Sequence, residues 1–161
     1  MFKLLKTEGG KGFSEYTVVD FMRQLLSVVA YCHSNNIINR DIRLENILIE
    51  SFEIRVINGQ EVPFVDIRLC DFKSARSYKK SKKLNKKIGN PYYIAPEVLK
   101  RKYDEKVDVW SSGIVMYMLL CGKPPFKGNS EKEILDNVAK GTFEFFGKIK
   151  SIKINQNISS N

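Results

Sequence analysis

The sequence predicts an α+β fold, mainly α, on three observations. Two stretches carry helical apolar patterns, Ser14 to Cys32 and Lys106 to Cys121. Between them, short β-branched runs alternate with loops rather than with helices. The composition, 43% hydrophobic and 28% charged over 161 residues, fits one ordinary domain or part of a larger one. It excludes a disordered chain, a collagen and a disulfide scaffold.

The first twelve residues are polar, contain Gly9, Gly10 and Gly12, and read as a weak element ending in a loop. Ser14 is a natural N-cap. From there Val18, Met22, Leu25, Val29 and Cys32 recur at spacings of four and three, one apolar stripe of a helix that stops near His33 to Asn36. Ile37-Ile38, Ile47 to Ile49 and Val65 to Leu69 read as short strands around loops. Glu50 to Pro63 reads as irregular, with Asn58-Gly59 as a turn signal. Pro96 opens a short helix to Leu99. Lys106 to Cys121 is apolar almost all round, which predicts a helix buried on most sides, with Trp110, Met116 and Met118 in the core. Gly122 ends it. Ser130 and Glu133 form a capping box that opens a last helix closed by Gly141. Residues 148–161 read as a frayed tail.

The net charge of +9 is concentrated in one place. Lys73 to Lys87 holds eight basic residues and no acidic one, and without them 19 basic residues face 18 acidic. A near-neutral protein with one basic loop argues against nucleic acid as its partner, because such proteins carry positive charge over a face. The simplest account of the loop is a solvated, mobile segment. Cys32, Cys70 and Cys121 are far apart and odd in number, and read as buried thiols of a reducing compartment. The longest apolar run, Ile114 to Cys121, is eight residues, too short to span a bilayer, and Met1 to Lys6 is too short for a signal peptide. The single His33 reads as a polar helix end. The Asn157-Ile158-Ser159 triplet reads as a chance glycosylation match.

The chemistry is concentrated in Asn39-Arg40-Asp41-Ile42-Arg43-Leu44-Glu45-Asn46, with Asp71-Phe72 following 25 residues after Asn46 and Ala95-Pro96-Glu97 further on. Phosphoryl transfer needs a carboxylate to orient a hydroxyl and accept its proton. It also needs an amide and a second carboxylate to hold the magnesium that neutralises the phosphates. Asp41, Asn46 and Asp71 suit those roles in that order.

With these motifs in this order, the chain resembles the C-terminal lobe of a Ser/Thr protein kinase. Lys102 to Gly113, continuing to Phe126, is close to the calcium-dependent and calmodulin-dependent branch. The resemblance implies a partial kinase domain over residues 1–147 and an activation segment over residues 71–97. It implies Asp41 as catalytic base, with Arg43 in the place of the catalytic-loop lysine, and Asn46 and Asp71 as Mg²⁺ ligands. It places Leu48 under the adenine of ATP and has Asp108 brace the loop backbone. In the activation segment it assigns Arg40, Asn90 and Glu97, with Arg40 pairing with a phosphate or an acid. The implied partners are a protein substrate or a kinase lobe, in the cytoplasm. No Asp-x-Asp-x-Asp-Gly loop occurs, so no direct Ca²⁺ site is expected.

The same comparison finds departures. No glycine-rich loop followed by Val-Ala-Ile-Lys occurs, so the lobe that clamps ATP has no counterpart, and the family's last helices have none either. Asn39 stands for His, Arg43 for Lys, Leu44 for Pro, Lys73 for the Gly of Asp-Phe-Gly and Asn90 for Thr. The expectation is kinase-like chemistry that is impaired or inactive in this chain alone. The alternatives are a non-catalytic pseudokinase-type interaction module and a gene fragment.

Overall fold

The computed structural model describes residues 12–79 and 83–143. The expected N-terminal element, the frayed tail, the Asn157 triplet and Lys80 to Lys82 of the basic loop lie outside the described residues.

Helix α1 spans Glu15–Ser34, and Ser14 caps it by accepting from the N–H of Thr17. Its buried stripe (Val18, Phe21, Met22, Leu25, Val29, Cys32) includes the one the spacing predicts. The short strand β1 (Ile37–Ile38) pairs antiparallel with β4 (Arg76–Ser77). A 3₁₀ turn, Leu44–Asn46, leads into β2 (Ile47–Ile57), which pairs antiparallel with β3 (Gln60–Leu69). Helices α2 (Pro96–Leu99), α3 (Lys106–Cys121) and α4 (Glu131–Lys140) follow. Gly122 and Gly141 take left-handed backbones after α3 and α4, as their positions require. Ser130 caps Glu133 N–H, while the Glu133 carboxylate reaches back to Asn129 N–H rather than to that of Ser130.

One core holds these elements. Helix α1 packs on β3, α3 and β1. Phe21, Leu25, Ile38, Ile42, Leu44, Val115 and Leu119 are all fully buried within it. Residues just before α1 are pinned to the end of α3: Phe13 N–H donates to Leu119 O at 2.8 Å. Gly12 lies so close that a Cβ there would sit 2.1 Å from Leu120 O.

Four expectations change. Glu50 to Pro63 is not irregular but the outer part of the β2–β3 hairpin, broken only by a bulge between Ile49 and Ser51. Phe52, Ile54 and Val56 alternate with Glu53 and Arg55, a strand period. Asn58 and Gly59, at φ 52° and 75°, supply the left-handed pair that a two-residue hairpin loop needs. The described lysines of the basic loop are exposed as expected, but the described residues on either side of Lys80 to Lys82 are anchored. Tyr78 is buried, with its N–H on Asn36 O, Leu84 bridges to Tyr103, and Lys83 pairs with Asp104. Met116 is exposed and Trp110 only partly buried, because α3 turns one flank outward. Cys70 is half-buried, while Cys32 and Cys121 are buried as expected.

Candidate active site

The site is built on the loop between β1 and β2. Asp108, on the first turn of α3 and 1% exposed, accepts from Asn39 N–H (2.8 Å, Oδ2) and Arg40 N–H (2.8 Å, Oδ1). Its Oδ2 also lies 2.9 Å from Nε2 of His33, at the end of α1. One carboxylate thus ties the ends of α1 and β1 to α3. The sequence reading of Asp108 as a brace agrees with these contacts. His33 as its partner was not legible, because 75 residues separate the two and no spacing rule links them. Burial, and then the charge of Asp108, push the Cys32 thiol above its ordinary range, which disfavours its thiolate.

Arg40 adopts φ 67°, a left-handed conformation that costs a branched or long side chain about 1–2 kcal/mol. The N–H bond to Asp108 holds it there. The resulting turn puts Asp41 beside Asn46. Asn46 is 5% exposed and its Nδ2 donates to Asp41 O at 2.9 Å and Asp41 Oδ2 at 3.0 Å. Arg43 Nε lies 3.5 Å from the same oxygen, Asp41 Oδ2. Asn39 Oδ1 accepts from Asp41 N–H at 3.0 Å, which makes the substituted Asn39 part of the turn.

The hairpin then joins the second half of the site to the first. Ile47 pairs with Leu69, and Cys70 N–H donates to Asn46 O at 2.8 Å. Asn46 and Cys70–Asp71 are therefore neighbours despite their separation in sequence. Asp71 is exposed and left-handed (φ 60°), with Oδ1 accepting from Lys73 N–H at 3.3 Å. Lys73 itself is not left-handed, so this turn does not need a glycine at 73. Leu48 is 55% exposed and Phe72 44% exposed, which leaves apolar surface beside the loop.

Among the described residues Arg40 meets no acid. Its Nε donates to Ser74 O at 2.8 Å, and Nη2 also reaches that carbonyl at 2.5 Å. The guanidinium therefore pins the start of the 71–97 segment to the loop. A narrow cleft lined by Arg40, Asp41, Gly89, Asn90, Tyr93 and Ile94 joins the loop to the far end of that segment. Gly89 comes close enough that a Cβ would sit 3.4 Å from Arg40 O. The Asn90 side chain caps its own turn, accepting from Tyr92 N–H at 3.0 Å. Tyr93 is buried, which pushes its phenol well up, and Ser111 of α3 donates to Tyr93 O at 2.9 Å. Tyr92 is exposed. Glu97 is half-buried in α2 and has no ion pair among the described residues. Partial solvation lowers the cost of leaving it alone.

The donor set fits a nucleotide-borne magnesium rather than an ion held by protein alone. Mg²⁺ usually takes one or two carboxylates and completes its shell with phosphates and water. Asp71 would offer one such carboxylate, and Asn46 Oδ1 an amide oxygen beside it. Among the described residues no cluster of three or more His, Cys, Asp or Glu could cage a metal. No described helix is long and apolar enough to cross a membrane.

A family model described as protein kinase domain matches residues 1–161. Over 133 residues, 83% of the chain, the sequence is 47% identical to calcium-dependent protein kinase 5 of Plasmodium berghei (strain Anka). It is 46% identical over 133 residues to calcium-dependent protein kinase 5 of Plasmodium falciparum (isolate 3D7), and 42% identical over 135 residues to calcium-dependent protein kinase 4 of that isolate. The matches cover 22% of the first two relatives and 24% of the third, so the chain spans less than a quarter of their length.

Proposed function

Because the chain belongs to the protein kinase family, we propose that it carries the C-terminal-lobe half of a Ser/Thr kinase of the calcium-dependent type. In this reading Asp41 orients the substrate hydroxyl and takes its proton. Asn46 holds that carboxylate through Nδ2 and leaves Oδ1 for Mg²⁺, with Asp71 as the second protein ligand. Arg43 adds positive charge beside the transferred group, though its planar fork presents that charge differently from a lysine. Leu48 is the apolar floor for adenine. Bound Mg-ATP would supply the transferable phosphoryl group and most of the charge neutralisation. Arg40, Asn90 and Glu97 belong to the activation segment, with Arg40 anchoring it through Ser74 O.

The observation that carries this reading is the pair of Asn46 contacts to Asp41, set on a loop that Asp108 holds from beneath. The 161 residues contain no glycine-rich loop with a Val-Ala-Ile-Lys strand. In this reading these 161 residues transfer phosphate only together with such a lobe, from a longer chain or a second polypeptide. A thermal melt with and without Mg-ATP tests the site. Ligand at a hundred times its dissociation constant stabilises by about 2.7 kcal/mol, which is about 5–10 °C here. A shift of that size, lost in Asp71→Asn, supports the reading. No shift in the unmodified chain removes nucleotide binding from it.

The second reading is a non-catalytic interaction module. The exposed Leu48 and Phe72 beside the loop favour it, since apolar surface of this kind binds partners. Retention of every cellular effect in Asp41→Asn would select it over catalysis.

A further inference from the structure

We propose that the outer edge of β2 pairs with the same edge of a second copy of this chain, as an antiparallel, two-fold-symmetric strand pair centred on Ile54. This rests on the hairpin alone and is independent of the kinase reading.

The two edges of the hairpin differ. On β3, Val65 O accepts from Gln24 Nε2 at 2.8 Å and Ile67 N–H donates to Gln24 Oε1 at 3.1 Å, so helix α1 covers that edge. Pro63, on the same edge, has no N–H to offer. The odd-numbered residues of β3 therefore point their backbone groups away from β2. Their partners Phe52 (opposite Val65), Ile54 (opposite Pro63) and Val56 (opposite Glu61) must turn their own N–H and C=O outward. Among the described residues no hydrogen bond reaches those groups. The side chains of Phe52, Ile54 and Val56 are all half exposed or more. This is an open edge of the kind that templates another strand.

The occupant follows from the sequence of that edge, Phe52-Glu53-Ile54-Arg55-Val56. Paired antiparallel about Ile54, it sets Ile54 against Ile54 of the second copy, Phe52 against Val56, and Glu53 against Arg55 at both ends. The residues that must exchange hydrogen bonds (52, 54 and 56) are those whose backbone groups face outward. Charges normally blunt an edge. Here Glu53 and Arg55, which pair with each other within one chain, also complement their own reverse. A second copy therefore adds a facing opposite charge to each, and the register is selected. The two-fold makes the contact isologous and closed.

Sedimentation velocity or light scattering of the full chain, at concentrations on the order of 100 µM because the contact is small, is the test. The unmodified chain should dimerise. Glu53→Arg alone and Arg55→Glu alone each set like charges opposite one another and should both be monomeric, with unchanged melts. An equimolar mixture of those two variants should recover the dimer as a heterodimer, which no intrachain effect of either substitution can produce. Ile54→Lys should abolish dimerisation, also without loss of fold. A monomeric unmodified chain overturns the proposal. So does a dimer that survives the single substitutions, or a mixture that stays monomeric.

Discussion

The loop from Asn39 to Asn46 and the outer hairpin from Phe52 to Val65 are close in sequence and are held by different physics. The loop has almost no regular secondary structure. It keeps its shape because a distant carboxylate accepts two of its N–H groups and because Asn39, Ile42, Leu44 and Asn46 are buried. The hairpin is regular and its strands pair with each other, yet one edge is open and much of its surface is exposed. The candidate residues Asp41 and Asn46 therefore sit where tertiary contacts over-determine the backbone.

Substitutions should separate the two regions. Asp108→Ala should have the largest effect, about 3–5 kcal/mol, because it leaves two buried N–H groups and His33 without their acceptor. Denaturant unfolding should show it, with a fall in Tm of roughly 10 °C. A loss under 1 kcal/mol would mean that the loop holds itself. Gly12→Ala should cost at least about 2 kcal/mol, since its Cβ would meet the Leu120 carbonyl at a left-handed position. Asn46→Ala should cost about 1–3 kcal/mol and should reduce any phosphotransfer by far more than its stability loss explains. Gly59→Ala, at the hairpin tip, should cost only about 1 kcal/mol, because its Cβ meets nothing within 4 Å and only the left-handed backbone is penalised.

The smallest effect concerns pH. The hydrogen bond from Lys83 holds the Asp104 carboxyl below its ordinary value of 3.8. A carboxyl depressed in the folded state adds stability above its unfolded value and loses it as pH falls through the folded one. The contribution is therefore full above about pH 4 and disappears in more acidic solution. The pair is partly exposed, so it contributes about 0.2–1 kcal/mol. Unfolding at pH 6 and pH 3 with Lys83→Ala should show that increment in full at pH 6 and a smaller one at pH 3.

Periodicity and punctuation were legible from the sequence because they are local. Ser14, Gly122, Ser130 and Gly141 mark helix ends through their own backbone and side-chain preferences, and the stripe from Val18 to Cys32 is a property of one helix. The outer hairpin was legible in part. Asn58-Gly59 signalled the turn, but Pro63 and the charged Glu53 and Arg55 disguised the strands beside it. Pro63 is compatible with a strand because its missing N–H falls on the edge that does not pair with β2.

By itself the sequence determined the order of the helices and the chemical kinds of residue at the site: one carboxylate and one amide in the loop, and a second carboxylate after a strand. Only the tertiary structure decided which of them meet. Asn46 reaches Asp41 because Arg40 is bent into a left-handed turn, and Arg40 is bent because Asp108 lies beneath it. Cys70–Asp71 arrives beside Asn46 because a long hairpin returns in register. Gln24 covers one edge of that hairpin and leaves the other open. Each of these contacts joins residues that no local periodicity relates. Their partners are set by how helices and strands pack around a shared core, and that is a property of the whole fold.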